Sequence, residues 1–220
     1  MRASRLPSTR TAGLFAVLTL AGLAPTADAA VVLSNLDQPR RSASTIQATP
    51  DDVVTLPWAS QSFVTDAQAY RVDSLEVVLG ARVDAPTVVA ELRADAGGSA
   101  PGALIATLTL GGAVIPTGSP AILALTPTAT VDLAAGTTYW LVLGALDAGS
   151  YDWEYAEGNG STGPGAFGNF AYSFDQGASW TGFGGDNPFK LAVNASPVPV
   201  PSVAVLFGIA VGGLWARRRA

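Results

Sequence analysis

Short runs in which apolar and polar residues alternate recur along the middle of this chain. In Leu104–Leu110, Leu104, Leu108 and Leu110 fall on one side, and Thr107 and Thr109 on the other. In Tyr139–Ala145, Tyr139, Leu141 and Leu143 share a face opposite Trp140 and Val142. Leu75, Val77 and Leu79 do the same within Tyr70–Leu79, and Val88–Arg93 continues the pattern. A side chain that changes face at every residue is the signature of a half-buried β-strand. No window of this region carries the 3.6-residue stripe of an amphipathic helix. Gly97-Gly98, Pro101-Gly102, Gly111-Gly112, Pro116-Thr117-Gly118 and Gly163-Pro164-Gly165 separate the runs and supply turns. About nine to eleven short strands at spacings of roughly 8–12 residues predict an all-β fold, an antiparallel β-sandwich of jelly-roll type.

The two ends do not follow this pattern. Arg2, Arg5 and Arg10 precede an apolar core, Ala12–Ala24, and Ala27-Asp28-Ala29 supplies the small residues of a cleavage site. Those features predict a secretory signal peptide over residues 1–29, removed by signal peptidase after Ala29. At the other end, Pro197, Pro199 and Pro201 remove amide donors and favour an extended spacer over residues 196–201. The 15 apolar residues Ser202–Ala216 follow, and then Arg217, Arg218 and Arg219. As a helix that run would be about 22 Å long, shorter than a hydrocarbon core of roughly 30 Å. Arginines suit the cytoplasmic end of a membrane segment and follow a core helix only at a cost. Residues 202–220 are thus expected to form a single transmembrane sorting helix, a thin anchor suited to temporary use. Residues 30–195 are left as one exported domain.

Removing both ends changes the charge. The chain carries −5 overall, but the domain holds six basic and 16 acidic residues, a net −10. Such a body does not attract nucleic acid or an anionic lipid surface. Cations, or neutral glycans recognised by hydrogen bonds, are compatible partners. There is no cysteine and no histidine. Disulfides, Ser-His-Asp and Cys-His catalysis and an ordinary zinc site are therefore excluded. A paired-carboxylate glycosidase remains conceivable in Glu154 and Glu157, but the residues point away from an enzyme.

The tail motif Val198-Pro199-Val200-Pro201, the apolar helix and Arg217–Arg219 together resemble the PEP-CTERM sorting signal of Gram-negative bacteria. Val200 stands where the usual motif has an acidic residue, which makes the tail closer to the VPLPA-type variants. The resemblance implies processing by an exosortase-like enzyme, transient residence of the tail in the cytoplasmic membrane, and association with exopolysaccharide or a biofilm matrix. The body is similar to choice-of-anchor domains of the R type. The residues behind this are Gln61-Ser62-Phe63, Tyr70–Leu75, Glu91–Asp95 running to Pro101-Gly102, Leu133–Val142 and the Trp180 region. That likeness implies a β-rich extracellular module without an assigned activity.

Three groups of residues could carry chemistry. Ser173-Phe174-Asp175-Gln176-Gly177-Ala178-Ser179-Trp180 resembles the Asp box of extracellular β-proteins. Asp175 would accept amides across a tight turn, Gly177 would take a positive φ, and Trp180 would pack beneath a hairpin. Its expected role is structural. Next, 12 of the chain's 18 aromatic residues lie between Tyr139 and Phe189, which makes that segment a candidate glycan surface. Trp140, Tyr151, Trp153 and Tyr155 are its candidate stacking residues, with Asp152 and Glu154 on the opposite face of the strand. The same aromatics could equally fill a core. Finally, Asp147, Glu157 and Asp186 could offer oxygens to calcium, against the plainer expectation of a solvated acidic surface. No other cofactor is implied. The expected function is that of a non-enzymatic exported surface or matrix protein. The alternative is a carbohydrate-binding or adhesive module using residues 139–189.

Overall fold

The computed structural model describes residues 29–47, 57–82, 84–97, 99–184 and 186–199. Ala27, Val200, Pro201 and the arginines Arg217, Arg218 and Arg219 lie outside them, as do the signal peptide up to residue 28 and the expected sorting helix. Among the described residues no helix is long and apolar enough to cross a membrane.

Among the described residues the fold is all-β and contains 13 strands. In chain order they are β1 (Ala30–Ser34), β2 (Arg40–Gln47), β3 (Trp58–Val64), β4 (Tyr70–Ala81), β5 (Val88–Asp95), β6 (Pro101–Thr109) and β7 (Ala121–Pro127). They continue with β8 (Asp132–Leu133), β9 (Thr138–Ala145), β10 (Ser150–Ala156), β11 (Ala166–Ser173), β12 (Thr181–Phe183) and β13 (Leu191–Pro197). All strand pairings are antiparallel. The long strand β4 organises one layer. Its first half pairs with β13, which pairs with β1, and its last residues pair with β10, which pairs with β2. On its other side lie β7 and β8. The second layer runs β6-β5-β9-β3-β11-β12, and two residue pairs between β6 and β7 join the layers.

The core sits between the layers, where the alternation places it. Leu75, Val77 and Leu79 of β4, Leu191 and Val193 of β13, and Ile46 of β2 meet Phe63, Leu92, Leu141 and Leu143 from the second layer. All are fully buried. A cysteine-free domain depends on this contact, because apolar area removed from water contributes about 25 cal/mol per Å².

The count of nine to eleven strands is too low, since β8 and β12 have two and three residues and cannot display a period of two. Pro101-Gly102, expected as a turn, opens β6, and Pro101 pairs with Asp95. A proline is tolerated at the first position of a strand. The reversal comes earlier, where Gly97 and Ser99 take φ of 78° and 65°. Leu104 departs from the alternation in being exposed, beside a bulge in the β5–β6 register. In β9 both faces are buried. Tyr139, Leu141 and Leu143 face the main core, while Trp140 donates to Asp95 Oδ1 at 2.7 Å and Trp58 lies against Gly144 on the other side. The last strand continues past residue 195. Ser196 and Pro197 pair with Arg71 and Tyr70, and Val198 N donates to Ala69 O at 2.9 Å.

Candidate functional site

Tyr151, Trp153 and Tyr155 do share one side of β10, as the alternation requires. For Tyr151 and Trp153, however, that side is the core, and both are 0% exposed. Tyr151 Oη donates to Gly144 O at 2.9 Å, and burial raises its pKa well above the ordinary value. Trp153 Nε1 donates to Lys190 O at 2.9 Å. Trp140 is buried under Asp95. These three rings have no face open to a sugar, which corrects the stacking surface expected of them. The opposite side of β10 is not free either. Glu154 is buried and held by Arg40 at 2.7 Å. Asp152 Oδ1 takes Arg82 Nε at 2.8 Å and the Thr45 hydroxyl at 2.7 Å.

Tyr155 is different. Together with Phe170 it forms the aromatic side of an open groove of about 380 Å³, whose polar side is Arg41, Ser42, Asp186 and Asn187. The groove lies where the layers meet, since Tyr155 belongs to β10 and Phe170 to β11. Beneath it Phe189 is fully buried and stacks on Trp153 at 4.1 Å and on Tyr155 at 4.4 Å between centroids. Phe170 stacks on Phe183 at 5.6 Å and meets Phe189 edge-on at 6.1 Å. The Tyr155 and Tyr172 hydroxyls are in hydrogen-bond contact across the layers. Burial, then that contact, raise the Tyr155 pKa above its ordinary value. The ring is neutral at any physiological pH.

Two buried amides hold this arrangement. Gln61 Oε1 accepts Phe189 N at 2.9 Å, and its Nε2 donates to Gly168 O and Asn169 O at 3.1 and 3.2 Å. It thereby ties the segment before β13 to the bulge of β11 that precedes Phe170. Asn35 grips the same segment from the other side, donating to Phe189 O at 3.1 Å and accepting Leu191 N at 2.8 Å. A buried amide satisfied at both ends fixes backbone geometry. The polar wall is less committed. Asn187 Oδ1 accepts Gly158 N at 3.0 Å and Arg41 Nη1 at 3.2 Å, and its Nδ2 has no partner among the described residues. The Asp186 carboxylate and the Ser42 hydroxyl also lack one. A second groove of about 340 Å³, lined by Pro86, Leu108, Leu110, Val114 and Ile115, presents no charged or amide side chain among the described residues.

Ser173, Asp175, Gly177 and Trp180 come together as one loop, the connection between β11 and β12. Ser173 Oγ donates to Asp175 Oδ1 at 2.7 Å, and Gly177 N donates to Ser173 Oγ at 2.7 Å. Asp175 Oδ1 also accepts Ser179 N at 2.8 Å. Hydrogen bonds from Ser179 and Ser173 hold the Asp175 carboxyl at about 2, below its ordinary value. Gly177 has φ of 87°, and a Cβ there would lie 3.0 Å from Trp58 and 3.8 Å from Trp180. The Ser173 hydroxyl and both Asp175 carboxylate oxygens are spent on the loop itself, whereas the buried Trp180 Nε1 has no hydrogen-bond partner among the described residues.

Asp147 is occupied by Thr87, whose amide and hydroxyl each donate to it at 2.6 Å. Asp147, Glu157 and Asp186 are not gathered into one cluster, and among the described residues no three carboxylates are placed to hold a metal ion. Arg41, Asn35, Gln61, Phe170 and Asn187 were not singled out by sequence as site residues. Gln61 was visible only within the choice-of-anchor resemblance. No protein-family model, curated protein or solved structure matches the chain.

Proposed function

We propose that this chain is a non-enzymatic exported β-module, of jelly-roll type, carried out of the cell by its signal peptide and sorted to the envelope or an exopolysaccharide matrix through its C-terminal tail. The order of features along the chain supports this. Strand β13 stops pairing at Pro197, and Val198 beyond it donates to Ala69 O and accepts from Gln68 Nε2. Val198, Pro199, Val200 and Pro201 follow, then the apolar run Ser202–Ala216 and the three arginines. A processing enzyme would meet the motif where the last strand ends, and its prolines lack the amide donors that a further ladder would need.

Mass spectrometry of the mature protein tests the proposal. A C-terminus near Pro199–Ser202 is expected in cells, and replacing Arg217, Arg218 and Arg219 by alanine should leave the full tail in place. An intact Ala220 in the mature wild-type protein would refute the processing.

A further inference from the structure

We propose that the groove between Tyr155 and Phe170 is a subsite for one sugar ring of a neutral polysaccharide. The apolar face of the ring lies on the aromatic side, and its hydroxyls are met by Asn187, Arg41 and Asp186. This goes beyond the sorting proposal and does not depend on it.

The composition of the walls selects the ligand. An aliphatic chain would leave the unpartnered Asn187 amide, the Asp186 carboxylate and the Ser42 hydroxyl desolvated without a hydrogen bond in return, which disfavours it. A pyranose presents the opposite combination. Its C–H face suits the electron-rich face of an aromatic ring, and each of its hydroxyls can donate to Asp186 or accept from Asn187 and Arg41. Small-ligand sites combine an apolar lining with a few convergent polar groups and span about 300–1,000 Å³. The groove falls at the lower end of that range and is open, so a polymer can pass through it while one unit seats.

Charge decides between neutral and acidic glycans. Among the described residues that line the groove Arg41 is the single cation, Asp186 lines it too, and the surrounding body carries −10. A polyanion would be repelled at every unit beyond the one that Arg41 could meet. Rigidity also favours binding. Gln61 and Asn35 fix the Phe189 backbone, and the Tyr172 hydroxyl fixes Tyr155. Little ordering cost is then left to oppose association.

The test uses the full chain in a zwitterionic detergent whose head group carries no sugar. It is applied to an array of neutral and uronate-bearing oligosaccharides, and the strongest neutral binder is then titrated. Wild type is expected to retain neutral oligosaccharides. D186A and F170A should each weaken binding at least about tenfold, the loss that one charged hydrogen bond or one stacked ring produces. D186A is the cleaner variant, because Asp186 is exposed and its side chain makes no hydrogen bond or ion pair among the described residues. Ile122→Thr, on the exposed side of β7, should bind as wild type does. Failure to retain any neutral oligosaccharide, retention of uronate-bearing ones alone, or unchanged affinity in D186A would each overturn the proposal.

Discussion

Trp153 decides between a core and a surface role for the aromatic strand. It is 0% exposed, stacks on Phe189 at 4.1 Å, and bonds Lys190 O through Nε1 at 2.9 Å. Replacing a buried tryptophan by alanine costs about 3–5 kcal/mol for lost transfer energy and cavity. The orphaned Lys190 carbonyl adds about 1–3 kcal/mol. W153A should therefore lose roughly 4–8 kcal/mol, against a total of about 5–15 kcal/mol for a typical domain. At about 2–4 °C per kcal/mol for a domain of this size, melting should fall by at least about 8 °C, and the variant stands near global unfolding. W153F separates the two contributions. It keeps an aromatic body against Phe189 and removes the donor, so its loss should be smaller, about 1–3 kcal/mol. Urea unfolding followed by circular dichroism measures both, and a fall in midpoint at constant slope reports stability alone. If W153A melts within about 1 kcal/mol of wild type, Trp153 is not packed as described. An exposed sugar-stacking face on β10 would then regain its standing.

Two further perturbations test other joints. In Gly144→Ala the new Cβ would lie 2.2 Å from Trp58 Cδ2, and Trp58 is tethered by Nε1 to Ala145 O at 3.3 Å. Overpacking there should cost about 1–3 kcal/mol in a thermal melt; an unchanged melting temperature would show that Trp58 does not cover β9. Asp175 is held at about 2 by Ser179 and Ser173. Its folded pKa lies below the unfolded value of about 3.9, so its contribution is complete above that value and is lost as pH falls through about 2. Carboxylate chemical shifts should show that low midpoint in wild type, and titration of Asp175 near 4 would refute the loop geometry.

The class of fold was legible because a period of two survives in the first half of β4, in β5 and in much of β6, where one side is buried and the other is more exposed. It was misleading where that asymmetry fails. Both sides of β9 are covered, so its alternation of Leu141 with Trp140 marks two packed faces. In β10 the run Tyr151-Asp152-Trp153-Glu154-Tyr155 alternates correctly, yet nothing in it distinguishes a ring against core from a ring against solvent. That difference comes from Phe189, 34 residues beyond Tyr155 in the sequence, which the topology returns beneath β10. The Asp-box loop was readable as a unit because its partners lie within eight residues of one another. The groove was not, because Arg41, Tyr155, Phe170 and Asp186 come from four separate segments. Local chemistry is written in local sequence, whereas convergent chemistry depends on strand order.

Strand order also determines whether sorting and sugar binding could coexist. The chain leaves the sheet at Pro197 opposite Tyr70, whereas Leu191 pairs with Val77 and Phe189 lies beneath the groove two residues earlier. The eight residues from Phe189 to Pro197, mostly strand at about 3.3 Å each, separate the groove from the point of exit by up to about 26 Å. Processing at Val198–Pro201 would act at one end of β13 without touching Gln61, Asn35 or the rings at the other. The two proposed roles therefore make no competing demand on any residue, and loss of either one leaves the structural basis of the other intact.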